Sequence, residues 1–330
     1  MSRAVGWAPP QMKCLLIGLL ATAASYAQPK INAVIGAASS INLITFNVRG
    51  GFTTGGLAVD GLATIFGSGL ATGQAQASST PWPGKLGDTE VFICPLTAGC
   101  KRGGLLYVSP TQINFQIPNV VVGGYFNFQV RVAGVDDVDT ASNRSWNLGI
   151  NSSSPAIFFA GYDCLIDARY QNRDPNCGLT SQKGTALQAR RGAITDTAGR
   201  LLTSSNPAKL GDYYTIWLTG LGEIVNGAPV DRLLYMMTNI PDSPNNYNSI
   251  GYVQQFTPSY VGMSPEFPGL YQINFQLPIE IATGFHLSIP TPPWPCGDYQ
   301  WEIGVYVDGG SSVAMNIPIQ IHNGDVPCSP

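Results

Sequence analysis

The sequence predicts an all-β protein of two tandem immunoglobulin-like β-sandwich domains joined by a hairpin-containing connector. Three observations lead there. Short apolar-alternating runs are broken by Gly, Pro and Asn clusters, the pattern of many strands joined by turns. Charged residues make up 11% of the 330-residue chain, against roughly 25% in ordinary domains, while apolar residues reach 44%, so the chain has cores to bury and is not disordered. Finally, three sequence blocks recur in the same order in the two halves.

The first block pairs Leu62-Ala63-Thr64-Ile65-Phe66-Gly67-Ser68-Gly69-Leu70 with Tyr213-Tyr214-Thr215-Ile216-Trp217-Leu218-Thr219-Gly220-Leu221. The second pairs Gln112-Ile113-Asn114-Phe115-Gln116-Ile117-Pro118 with Gln272-Ile273-Asn274-Phe275-Gln276-Leu277-Pro278. The third pairs Phe128-Gln129-Val130-Arg131-Val132-Ala133-Gly134 with Ile303-Gly304-Val305-Tyr306-Val307-Asp308-Gly309. Within the second block, Ile113, Phe115 and Ile117 alternate with Gln112, Asn114 and Gln116, which sends the two sets to opposite faces of one strand. The closing proline cannot donate to a ladder, so pairing stops there or runs along an edge. Each copy is somewhat over 100 residues, the size of an immunoglobulin-like sandwich.

The expected layout is a signal peptide at residues 1–27, a first sandwich at 28–160, a connector at 161–206 and a second sandwich at 207–330. In the connector, Gly192-Ala193-Ile194-Thr195 and Arg200-Leu201-Leu202-Thr203 flank Asp196-Thr197-Ala198-Gly199, a β-hairpin pattern. At the N-terminus, Lys13 precedes an uncharged run at 14–24, and Ser25-Tyr26-Ala27 is a small-x-small cleavage site. The run is shorter than the about 20 apolar residues a spanning helix needs, so no integral membrane segment is expected after cleavage. Met12-Lys13 makes as good a start as Met1. The expected location is therefore extracellular, cell-surface or periplasmic.

Six of the seven cysteines lie beyond the signal: Cys94, Cys100, Cys164, Cys177, Cys296 and Cys328. An even number in an exported chain favours disulfides, and the sequence alone does not fix their pairing. Local pairing, Cys94 with Cys100, Cys164 with Cys177 and Cys296 with Cys328, staples one loop-rich excursion each. A metal site lacks its usual pattern, because there is no Cys-x-x-Cys and the two histidines, His286 and His322, lie in different segments. No cofactor is expected. A formal charge of −3 without a basic stripe argues against nucleic acid as a partner.

Tyr107-Val108-Ser109-Pro110-Thr111 leading into Gln112-Ile113-Asn114-Phe115-Gln116-Ile117-Pro118 resembles the hallmark of a family of uncharacterised C-terminal domains from acidobacterial secreted proteins. So do Ser205-Asn206-Pro207-Ala208-Lys209-Leu210-Gly211-Asp212, Thr219-Gly220-Leu221-Gly222 and Pro268-Gly269-Leu270-Tyr271-Gln272-Ile273-Asn274. The resemblance spans residues 34–321 and implies an extracellular immunoglobulin-like module. It brings no activity and no functional residues with it. The extra cysteines and the longer segment at 231–256 depart from the family pattern.

Catalytic patterns are sparse. A Ser-His-Asp site would have to use His286 or His322, and Gly67-Ser68-Gly69 lacks the spacing of a nucleophile elbow. The 20 Asp and Glu include no pair in a distinctive local motif for glycoside hydrolysis. Asp136, Asp137, Asp139 and Asn143 crowd oxygen ligands without EF-hand spacing and read as a solvated acidic turn. Trp82 and Trp294 sit in proline-rich loops, where they either stack on a sugar or protein partner or anchor their loops on the core. Gln112, Asn114, Gln116 and their counterparts Gln272, Asn274, Gln276 read as a structural amide motif, with a ligand face as the sharper alternative.

The function expected from these readings is that of a secreted or surface-associated, non-enzymatic protein with a structural, adhesion or interaction role. Its partner would be an extracellular protein or glycan. A carbohydrate-binding module using Trp82 and Trp294 is the alternative, and an extracellular hydrolase a weaker one.

Overall fold

In Tyr125–Val132 the side chains of Phe126, Phe128, Val130 and Val132 are buried while their neighbours are not, so the alternation of the sequence is a strand with one face in a core. The structure, a computed structural model, describes residues 28–38, 57–95, 99–120, 122, 125–137, 148–164, 188–223, 232–238, 252–256, 258–277, 297–307, 310–311 and 315–321. Every regular element among them is a β-strand, so the fold is all-β. No helix among the described residues is long and apolar enough to cross a membrane.

In chain order the first half contains β1 (Lys30–Gly36), β2 (Leu57–Ala58), β3 (Leu62–Ser68), β4 (Ala75–Gln76), β5 (Thr89–Pro95), β6 (Lys101–Arg102), β7 (Gly104–Val108), β8 (Gln112–Gln116), β9 (Tyr125–Val132), β10 (Val135–Asp136) and β11 (Leu148–Asn151). The second contains β12 (Ala156–Ile157), β13 (Phe159–Cys164), β14 (Gln188–Gly192), β15 (Ile194–Asp196), β16 (Tyr213–Thr219), β17 (Arg232–Thr238), β18 (Tyr252–Phe256), β19 (Tyr260–Met263), β20 (Tyr271–Gln276), β21 (Gly297–Val307), β22 (Gly310–Ser311) and β23 (Met315–Ile321).

Each half is a pair of sheets. The first half has the orders β1-β3-β8-β7-β4 and β2-β11-β9-β5-β6, with β10 beside β9. The second has β12-β16-β20-β19, with β15 beside β16, and β13-β14-β23-β21-β17-β18, with β22 beside β21. These pairings are antiparallel except β2–β11 and β14–β23.

Buried apolar residues gather into two clusters, one between each pair of sheets. In the first half, Ile65, Leu105, Ile113 and Phe115 of one sheet meet Val91, Ile93, Phe128 and Val130 of the other. Phe115 and Phe128 touch edge to face across the gap, ring centroids 6.2 Å apart. In the second half, Ile216, Leu218, Ile273 and Phe275 face Ile303, Val305, Ile317 and Ile319. Full burial of such a side chain contributes about 1.5–3 kcal/mol, so these alternating faces hold the layers together.

The recurring blocks occupy matching places. Thr64 on β3 lies opposite Asn114 on β8, and Thr215 on β16 lies opposite Asn274 on β20. In the third block, β9 and β21 each turn back into a two-residue strand, β10 and β22. Both motif strands stop at the second Gln, ahead of the proline.

The segment expected as a connector packs on the second half: β14 and β15 join that half's sheets, and Ile194 and Leu202 are buried in its cluster. Ala156–Ile157, at the end of the stretch expected as the first sandwich, is β12 and pairs with β16 of the second half. The hairpin itself is present: Asp196 N–H donates to Arg200 O, and Leu202 N–H to Ile194 O. Its turn closes on Gly199 at φ 75°, and the Asp196 carboxylate accepts from the backbone N–H of both Ala198 and Arg200.

Candidate functional site

The polar faces of the two motif strands carry one repeated network. Thr64 Oγ1 donates to Asn114 Oδ1 at 3.1 Å, and Thr215 Oγ1 to Asn274 Oδ1 at 2.9 Å. Gln116 Nε2 donates to Asp60 O at 3.2 Å, and Gln276 Nε2 to Gly211 O at 2.7 Å. Each acceptor lies two residues before the start of the neighbouring strand, β3 or β16. The backbone repeats this too: Asp60 N–H bonds to Ile117 O and Gly211 N–H to Leu277 O. The outer glutamines therefore tie the loop entering one strand to the end of its neighbour. In the first half Gln112 Nε2 also donates to Asn114 Oδ1, at 2.8 Å.

A second constellation joins the halves. Leu62 N–H, at the start of β3, donates to Thr219 Oγ1 at 2.8 Å, and the same hydroxyl donates to Gly269 O at 2.8 Å. Thr219 is buried, so this hydroxyl satisfies a donor of one half and an acceptor of the other without water. Ser154 N–H reaches Gly220 O at 2.7 Å. Gly220 has φ 79°, and a Cβ there would collide with Ser154 O, so the close approach needs glycine.

Trp82 closes the same seam. Its indole N–H donates to Pro268 O at 3.0 Å, and its ring meets Phe267 edge to face at a centroid distance of 5.1 Å. Trp82 is half-buried, with its polar handle and one ring edge engaged by the second half. Trp294 lies outside the described residues.

Asp60, in left-handed backbone at φ 58°, is on this seam as well. Its carboxyl is pushed above the usual Asp range, first by burial and then by the nearby charge of Glu223 from the second half. Tyr214 anchors the entry to β16: its hydroxyl accepts from Lys209 N–H at 2.6 Å and donates to Lys209 O at 3.2 Å. Burial pushes that phenol up to about 12, so it stays neutral.

The acidic turn is occupied by protein partners. Asp136 pairs with Arg131 at 2.6 Å, and buried Asp137 accepts from Val130 N–H at 2.7 Å. Asp139 and Asn143 lie outside the described residues, among which no group of three His, Cys, Asp or Glu converges. Cys94 and Cys100 form a disulfide between the end of β5 and the residue before β6. Cys164 ends β13, while Cys177, Cys296, Cys328, His286, His322 and the expected signal peptide lie outside the described residues.

Thr219, Pro268 and Tyr213 stand in motifs that the sequence singles out without a contact role, while Asp60 and Phe267 at the seam and Tyr260 on the second half's outer face stand in none. The shared Thr64 and Thr215 were visible within the repeated block, and strand parity places Tyr213 on the face opposite Ile216. The local motifs that hold Thr219 and Pro268 do not say what those residues touch, because their partners are remote in sequence.

No family model matches the chain, and no curated protein matches it. Among solved structures, it is similar to dimeric latent PorU from Porphyromonas gingivalis, at 9% identity and a TM-score of 0.25, covering 92% of this chain and 24% of that one. It is also similar to the surface glycan-binding protein PbSGBP-B from Prevotella bryantii, at 10% identity and a TM-score of 0.22, covering 90% of this chain and 43% of that one. The chain thus spans less than half the length of either, and likenesses at these scores carry no argument about function.

Proposed function

We propose that the chain is a secreted or cell-surface, non-enzymatic protein whose two sandwiches work as one coupled unit in a structural or adhesive role. The observation that carries this reading is the seam: a buried hydroxyl bonded to both halves and a tryptophan whose N–H and ring edge are engaged across it. A free linker would let the sandwiches reorient, whereas this joint fixes them and suits a spacer or load-bearing module. The Cys94–Cys100 disulfide fits an oxidising compartment, as does the sequence at 1–27. The resemblance to acidobacterial secreted modules agrees with such a role.

Calorimetry tests it. The wild-type chain should unfold in one cooperative transition, and Trp82→Ala, which removes a hydrogen bond and an aromatic contact worth together about 2 kcal/mol, should split it into two. Two transitions in the wild type, or one unchanged transition in the variant, would overturn the coupling.

A further inference from the structure

The outer face of the β12-β16-β20-β19 sheet is an uncharged grid. On β16 it presents Tyr213, Thr215 and Trp217; on β20, Gln276, Asn274 and Gln272; on β19, Tyr260 and Gly262. The core residues Tyr214, Ile216, Ile273, Phe275 and Val261 alternate with these, so the strands themselves fix the direction of the grid. We propose that this face binds a neutral, extended oligosaccharide, with Tyr213 and Tyr260 as stacking platforms and the amide row between them as hydroxyl partners.

Exposure is the first argument. Tyr213 is 51% and Tyr260 41% exposed, on strands rather than on loop tips. Exposed Tyr rings beside a row of amides give the face both apolar stacking area and hydrogen-bonding groups.

Preorganisation is the second. A Cβ at Gly262 would fall against the hydroxyl end of Tyr260, because that ring folds along the strand over Gly262. Glycine there leaves room for the ring to lie over the sheet. Trp217 is fixed before any ligand arrives, its indole N–H donating to Thr195 Oγ1 at 3.0 Å.

Spacing and chemistry favour a sugar chain. Tyr213 pairs with Gln276 and Tyr260 with Asn274, so the tyrosines stand two strands and two residues apart, roughly 12 Å between Cα atoms on sheet geometry. That span calls for an oligomer rather than a single sugar. Between them lie amides, which offer donors and acceptors to hydroxyls that are both. A protein partner would require a desolvated apolar centre, whereas the centre here is Asn274 held by Thr215. The strands of this face carry no charge, and the groups at its margin, exposed Asp212 beside Tyr213 and the Asp196–Arg200 pair of the β15 hairpin, leave no excess of positive charge for an acidic ligand, which favours a neutral one.

The first half supplies a contrast. At the positions of Tyr213 and Thr215 it has Leu62 and Thr64, only 7% and 6% exposed, with Leu62 packed against Gly269 at the seam. Those two strand positions are thus covered in the first half and open in the second, while the amides Gln112, Asn114 and Gln116 stay half-buried.

Affinity electrophoresis of the full chain through gels containing hydroxyethylcellulose, galactomannan or dextran, with polygalacturonate as the acidic control, tests the proposal. At least one neutral polymer should retard the chain, with no dependence on salt. Tyr213→Ala and Tyr260→Ala should each weaken retardation about tenfold, the scale of truncating an aromatic anchor, and Tyr260→Phe should keep it. Retardation by none of the neutral polymers, by polygalacturonate alone, or unchanged in both alanine variants would overturn it. Trp82→Ala should leave retardation intact, so failure here and failure of the seam proposal are read separately.

Discussion

At the scale of single residues, Asn114 and Asn274 do the same work in different surroundings. Asn114 Oδ1 accepts from both Thr64 and Gln112, and Thr64 is buried; Asn274 Oδ1 accepts from Thr215, which is partly exposed. Removing a partner from a buried hydroxyl costs more than removing one that water replaces. Asn114→Ala should therefore cost about 1–3 kcal/mol and Asn274→Ala about 0.5–1.5 kcal/mol, measured by urea unfolding of each variant. The identity of these amides in both copies was legible in the sequence. Their partners were not: the acceptors Asp60 and Gly211 are loop carbonyls, and a carbonyl leaves no trace in residue type.

Among the elements, the β5–β6 connection is closed by Cys94 and Cys100, six residues apart. Chain-entropy arguments give a loop of this length about 2 kcal/mol of stabilisation. The double variant Cys94→Ser/Cys100→Ser should lose about that much, and reductant should destabilise the wild type by about that much more than it does the variant in thermal unfolding. This pairing followed from proximity in sequence, as did the hairpin around Asp196 and Gly199, whose turn chemistry is local. The placement of β12, β14 and β15 was harder to read. Alternation shows that Ile194 faces a core, but it does not say which core. The all-β class was legible throughout because it depends only on period and punctuation.

Across the whole molecule, the seam brings together residues that no local pattern connects, including two carboxylates. Asp60 carries a raised pKa through burial and through Glu223 from the other half. A raised acid pKa means that the folded chain holds this proton better than the unfolded chain does. Its contribution to stability is present below the ordinary Asp range and lost as pH rises through the raised value. Asp60→Asn keeps a residue that tolerates left-handed backbone and removes the charge. Its thermal midpoint should exceed that of the wild type at pH 7, and the difference should vanish once the pH falls below the ordinary Asp value of 3.8.

The seam also sets a clock. Trp82 and its acceptor Pro268 are 186 residues apart, with Phe267 just ahead of the proline. At about 5–20 residues per second of synthesis, Trp82 emerges roughly 10–40 s before the surface that covers its loop exists. Throughout that interval the nascent chain displays Trp82 and Leu62 without their partners. The joint that couples the finished halves is therefore also the period in which the newborn chain most needs to be kept from its neighbours.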